Sequence, residues 1–184
     1  MGLIEWVQFN KASDNMEQTK TTMQTIRICP ITAAEDAAMA ALVRENLKAA
    51  GLDIPGTAYF DPELESLSRF YAGRPERRTY YVALDAGGRV LGGAGLAEFE
   101  GIADCAELQK LYMAEAAKRN GIATRLVQQV ERRARELGYR KLYLETHSSL
   151  VPAQRLYEKL GFACVEPPCA VQHGTMDRFY IKEL

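Results

Sequence analysis

The stretch from Cys105 to Gly138 constrains the fold most, because two different periodicities meet in it across one basic turn. "CAELQKLYM" reads as a strand, and "AEAAKRNG" follows it as a loop. Ile122, Leu126, Val127, Val130, Ala134 and Leu137 then form one apolar stripe at helical spacing, which Gly138 ends. A helix with a single apolar stripe must lay it on a neighbouring layer, and the strand before it predicts a sheet.

The alternation continues through the rest of the chain. "TIRICPI" reads as a strand, followed by a helix over "TAAEDAAMAALVRENLKAAG" with Thr32 and Glu35 as a capping box and Gly51 as its stop. Met39, Leu42, Val43, Asn46 and Leu47 share one face of that helix. A second, shorter helix is expected over "DPELESLSRFYAG", opened by Asp61-Pro62. "TYYVALDAGGRVLGGAGLAEF" reads as a hairpin turning at Asp85 to Gly88. "RKLYLET" is a strand, "VPAQRLYEKLG" a helix, and "FACVEP" and "TMDRFYIKEL" are closing strands. Strands alternating with helices around one hairpin predict a mixed sheet covered by helices.

Composition narrows the function classes. The 184 residues suffice for one domain with a core, and 47% hydrophobic with 26% charged residues fits a globular chain. A formal net charge of −1 is a poor match to nucleic acid, which favours a basic surplus. The basic run Arg132 to Lys141 is interrupted by Glu136 and reads as a solvated helix face. Cys29, Cys105, Cys164 and Cys169 form no CxxC pair, and His147 and His173 stand alone, so no metal site is expected. No apolar run has the length of a membrane span, and the N-terminus lacks the pattern of a secretory signal. With four cysteines in no framework, a cytoplasmic protein is expected. Residues 1–24 read as an arm or extension before a domain over 25–184; docking of the arm on a partner subunit, as in a homodimer, is the sharper alternative.

The turn at Gly121 is the first candidate site. A helix start leaves its first amides unpaired, and the helix dipole favours an anion there. Gly121 and the small Ala123 permit close backbone approach, with Lys118, Arg119 and Arg125 adding charge and Thr124 a hydroxyl. GxxxxGK[ST] is absent, and "GGAG" at Gly92 to Gly95 lies in a strand, where it reads as close backbone packing. On these residues alone, a phosphate site and a plain helix start stay equally open.

"LQKLYMAEAAKRNGIATRL" resembles the acyl-CoA-binding motif of the GNAT N-acetyltransferase superfamily, a strand followed by [RQ]-x-x-G-x-[GA] and a helix. "RLYEKLGF" resembles the superfamily's next motif, matched by Ala153, Leu156, Tyr157, Gly161 and Phe162. The resemblance covers roughly residues 24 to 184 and is greatest to small bacterial acetyltransferases whose acceptor is unassigned. Lys118 stands at the first motif position, Ala123 at the last, and Leu150 where an asparagine is often found. The resemblance implies a central mixed, mostly antiparallel sheet with two splayed middle strands and helices on both faces. It also implies acetyl-CoA as co-substrate, its pantetheine along the backbone of Leu111, Tyr112 and Met113. Its pyrophosphate would lie on the turn formed by Lys118, Arg119, Asn120, Gly121, Ile122, Ala123 and Thr124.

The chemistry implied is acetyl transfer to a primary amine of a small molecule or amino acid. A carboxylate must remove a proton from an ammonium whose ordinary pKa is about 10.4. Glu107 stands where some members place that base; Glu145 is second, as base or as an electrostatic partner of the ammonium. A backbone N–H near Leu111 would face the carbonyl oxygen, and Tyr157 matches the acid that protonates the leaving thiolate. Each also fits a plain role, Glu107 as a paired strand residue and Tyr157 as a packed helix residue. Tyr59, with Phe60 and Asp61, is the candidate acceptor wall. A protein or peptide acetyltransferase and a non-catalytic acyl-CoA-binding module remain the alternatives.

Overall fold

The computed structural model describes residues 26–167 and 174–184; the predicted arm, Cys169 and His173 lie outside them. Its strands are β1 (Arg27–Pro30), β2 (Thr79–Leu84), β3 (Val90–Glu98), β4 (Cys105–Met113), β5 (Lys141–Thr146), β6 (Ala163–Val165) and β7 (Arg178–Glu183). They form one sheet in the order β1-β2-β3-β4-β5-β7-β6. Every neighbouring pair is antiparallel except β4 and β5, which run parallel. The helices are α1 (Ala33–Ala49), α2 (Leu67–Ala72), α3 (Ile122–Glu136) and α4 (Val151–Lys159).

Local sequence accounts for most boundaries. Thr32 and Glu35 form the predicted capping box on α1, with the Thr32 N–H donating to Glu35 Oε2 at 2.8 Å. α3 starts at Ile122, directly after Gly121, which takes a left-handed φ of +74° that no helix continues. The predicted helix from Asp61 is corrected: a 3-10 turn covers Leu64–Ser66 and α2 begins only at Leu67. Tertiary bonds hold this segment. Asp61 and Glu63 reach Lys110 on β4, while the Ser68 N–H and hydroxyl donate to Asp36 of α1 at 2.8 and 2.6 Å.

The sheet separates two cores. On one face Ala106, Leu108, Leu142 and Leu144 pack with Ile122, Leu126, Val127 and Val130 of α3 and Tyr157 of α4. On the other, Tyr80, Val82 and Ala97 pack with Met39, Val43 and Leu47 of α1 and Tyr71 of α2. Each large apolar side chain so buried contributes about 1.5–3 kcal/mol before entropy is counted. β3 is glycine-rich because its neighbours crowd it. A Cβ on Gly92 would lie 2.5 Å from Met113 Sδ, and one on Gly93 2.5 Å from Tyr80 Cε1.

β4 and β5 share only three register positions, ending at Glu107 opposite Tyr143. Beyond that rung β4 runs on to Met113 and β5 to Thr146 without pairing with each other. A bulge accompanies the divergence: the β3–β4 register shifts between Gly93 and Gly95, and Lys110 opposite takes φ +50°. The two strands therefore open a notch in the middle of the sheet, toward the Gly121 turn.

Candidate active site

Glu107 occupies the last rung before the notch and is only 4% exposed. Burial is the main force on its carboxyl, raising it from 4.5 to about 7. A hydrogen bond from Gln109 and the Lys110 charge oppose the rise, and Glu145 and Asp61 add to it. Gln109 Nε2 donates to Glu107 Oε2 at 2.7 Å. Two residues apart on one strand, these side chains share a face.

Glu145 lies two residues beyond Tyr143 on β5, on the same face and past the last rung. Its Oε1 accepts a hydrogen bond from the Tyr143 hydroxyl at 3.2 Å. Its Oε2 is buried and has no partner among the described residues. The structure thus brings the two predicted carboxylates to the same end of the β4–β5 contact.

Lys110 is buried to 5% side-chain exposure between Asp61 Oδ2 at 2.6 Å and Glu63 Oε1 at 2.9 Å. Burial disfavours its charge, but Asp61 and Glu63 outweigh that and hold its pKa above the ordinary value. Asp61, expected as the acidic group of an aromatic acceptor wall, is therefore committed to a lysine. Tyr59 lies in a 3-10 turn against Phe60, ring centroids 4.9 Å apart, with the Arg44 guanidinium 5.9 Å from its ring. It is partly buried beside the α1–α2 core, and Phe60 is exposed.

On the α3–α4 face, Tyr157 is 6% exposed, with its ring 5.9 Å from both Phe162 and Tyr180. Burial raises its phenol pKa well above 10, so the group keeps its proton at neutral pH. It also acts on the Tyr112 phenol, whose pKa is raised chiefly by burial and further by Tyr157. Tyr157 therefore stands near the unpaired half of β4. Of the predicted backbone segment, Leu111 packs beside the α3 core, Tyr112 beside the α1 core, and Met113 is buried. The Met113 carbonyl accepts from Asn46 Nδ2 at 3.1 Å, which ties α1 to the end of β4.

The turn after β4 fits an anion. Lys118, Arg119, Asn120 and Gly121 are exposed, Ile122 is buried, and Ala123 and Thr124 are half-buried. Arg119 and Gly121 both have positive φ, +63° and +74°. Among the described residues, no backbone carbonyl accepts from the amides of Arg119 through Thr124; Arg125 N–H is the next to bond, to the Gly121 carbonyl. A Cβ on Gly121 would meet nothing within 4 Å, so the glycine serves the backbone angle and leaves the space above it open. Lys118 Nζ bonds Glu115 at 2.7 Å.

The sequence reading missed Gln109, Tyr71 and the Lys110–Asp61–Glu63 triplet. Gln109 was accessible from the two-residue period with Glu107; the others have no local signal, because their partners are distant in the chain.

Residues 42–162 match the model of the acetyltransferase (GNAT) family. The chain belongs to that family. This GNAT chain is 34% identical over 138 residues to the uncharacterized N-acetyltransferase YjgM of Escherichia coli K12, covering 74% of the chain and 81% of the relative. Its fold is similar to that of a GNAT-family acetyltransferase from Staphylococcus aureus Mu50, with TM-score 0.76, 18% identity, and 86% and 98% of the two chains covered. It is also similar to a PaiA N-acetyltransferase from Thermoplasma acidophilum in complex with coenzyme A, with TM-score 0.69, 19% identity, and 87% and 99% covered. Among the described residues of this GNAT chain, no helix is long and apolar enough to cross a membrane. None of its described His, Cys, Asp and Glu side chains cluster in threes that could hold a metal.

Proposed function

We propose that this GNAT protein transfers an acetyl group from acetyl-CoA directly to a primary amine of a small molecule or amino acid. The observation that carries the reading is Glu107, buried at the last β4–β5 rung, with a carboxyl that titrates near neutrality.

Acetyl-CoA, when bound, supplies an acyl group already activated as a thioester. The free amides from Arg119 to Thr124 suit its diphosphate, and the backbone of Leu111 to Met113, unpaired on the β5 side, suits its amide-bearing arm. A ligand held by amides and strand backbone is fixed in orientation without a bound cation.

On the acceptor side, ionised Glu107 removes a proton from the ammonium, directly or through water, and so exposes the amine lone pair. A carboxyl poised near 7 exists in the ionised form in useful amount at neutral pH while remaining basic enough for the task. Glu145, with its buried Oε2 lacking a hydrogen bond, suits the positive charge of the incoming ammonium. A backbone N–H near Leu111 is assigned to the charge that develops on the carbonyl oxygen. Tyr157, held protonated by burial, is assigned to donate to the leaving sulfur.

The test is an acetyl-CoA turnover screen against amines, amino acids, polyamines and peptides, read as free CoA thiol. Release with at least one small amine is expected. Binding of acetyl-CoA with no acceptor turned over would overturn the reading in favour of a regulatory module.

A further inference from the structure

Resting on the reading of Glu107 as the base, we infer that Gln109 and Tyr71 are positioning residues, which hold the Glu107 carboxylate through a hydrogen-bonded relay that the side-chain-free Gly95 makes room for.

The relay is continuous. The Tyr71 hydroxyl, on α2, donates to Gln109 Oε1 at 2.9 Å, and Gln109 Nε2 donates to Glu107 Oε2 at 2.7 Å. An ionised carboxylate only accepts, so the Gln109 amide must present its N–H₂ to Glu107. The reversed amide would set carbonyl lone pairs against the carboxylate. A donor to the amide oxygen at the far end supports the unreversed orientation, and the Tyr71 hydroxyl donates there. Its ring is 3% exposed, and burial first, then Glu107, Glu63 and Asp61, holds its phenol protonated far above neutral pH, against a smaller opposite effect of Arg78.

Gly95 explains how Tyr71 reaches Gln109. Gly95 is the β3 residue paired with Gln109, and a Cβ on it would lie 2.8 Å from the Tyr71 hydroxyl oxygen and 2.5 Å from Tyr80 Cδ2. Any side chain at this position would push Tyr71 off the amide. The last glycine of "GGAG" is thus part of the active-site support as well as of β3 packing.

The charged groups around Glu107 set what the relay must do. Glu145 on β5 and Asp61 before α2 oppose its ionisation, and Lys110, its neighbour on β4, favours it while bound to Asp61 and Glu63. Among the described residues Gln109 is the side chain that donates a hydrogen bond to the carboxylate, and it favours the ionised form. Without it, the acid would lose its proton only at higher pH.

The experiment is a ¹³C NMR titration of the Glu107 carboxyl in the full chain without acetyl-CoA, its resonance assigned by disappearance in Glu107→Gln. Gln109→Met is expected to raise the midpoint by about one pH unit, the scale of one hydrogen bond to a charged group. Tyr71→Phe, which removes one oxygen and keeps the ring contacts with Phe70 and Tyr80, should raise it by less. The acid limb of kcat/KM should move with the midpoint in both variants, with activity recovering at high pH. A merely structural role would lower activity at every pH and leave the limb in place. A midpoint unmoved in Gln109→Met overturns the proposal, and one unmoved in Tyr71→Phe overturns the part of Tyr71. If the midpoints move but Glu107→Gln turns over normally, the base assignment fails and the relay stands.

Discussion

On the α3 side of the notch the unpaired groups are main-chain amides, from Arg119 to Thr124, whereas on the α1–α2 side the polar groups are side chains delivered by separate segments. The first wall needs only a left-handed glycine and a helix start. The second holds a carboxylate, Glu107, buried with no cation among the described residues in hydrogen-bond contact. Two buried glutamates make the contrast concrete. Glu131 of α3, 7% exposed, is met by Lys182 Nζ at 2.7 Å and Arg135 at 3.9 Å. Glu107, 4% exposed, is met by an amide, while the nearby Lys110 is held by Asp61 and Glu63. What separates the two buried carboxylates is whether a cation or an amide meets them.

The sharpest way to break this comparison is Glu107→Gln. It should lower kcat by about 10²–10⁴-fold and leave the acetyl-CoA Kd nearly unchanged, read by turnover and calorimetry. A parallel loss of acetyl-CoA affinity would show that the two walls are not separate. Glu107 should also leave a mark on stability. Its folded carboxyl titrates near 7 against 4.5 unfolded, so between those values the folded state holds a proton that the unfolded state has lost. Stability is then expected to fall as pH rises from about 4.5 to 7, and to stay reduced above it, by roughly 3 kcal/mol. Denaturant titrations of the wild type and Glu107→Gln at several pH values should diverge over that window; parallel curves would refute the raised carboxyl.

On the backbone wall, Gly121→Val forces a β-branched residue into φ +74° and should weaken acetyl-CoA binding roughly 10-fold by calorimetry. Unchanged affinity would separate the turn from the diphosphate. An effect of at most similar size is expected for Tyr157→Phe: kcat reduced up to about 10-fold, below the usual range for a general acid because a thiolate leaves readily, with acetyl-CoA affinity intact. Unchanged turnover would remove Tyr157 from the mechanism.

What was legible follows the same division. Cys105–Met113 and the capping box of α1 could be read because each is set by neighbours within a few residues. The Gly121 turn was legible for the same reason, as was the apolar stripe of α3. The start of α2 was not, because Asp61, Glu63 and Ser68 answer to Lys110 and Asp36, which lie far along the chain. Asp61 looked like a free acidic group for the same reason.

By itself the sequence determined most of the helices and strands, the glycine-angled turn and the two motifs that resemble GNAT proteins, since these depend on periodicity, dihedral preference and short spacing. Only the tertiary structure decided that β4 and β5 part after Glu107, that Lys110 is taken up by Asp61 and Glu63, and that Gly95 leaves room for Tyr71 to reach Gln109. A carboxyl's proton affinity depends on the charges and solvent around it, and that surrounding exists only once distant segments have packed together.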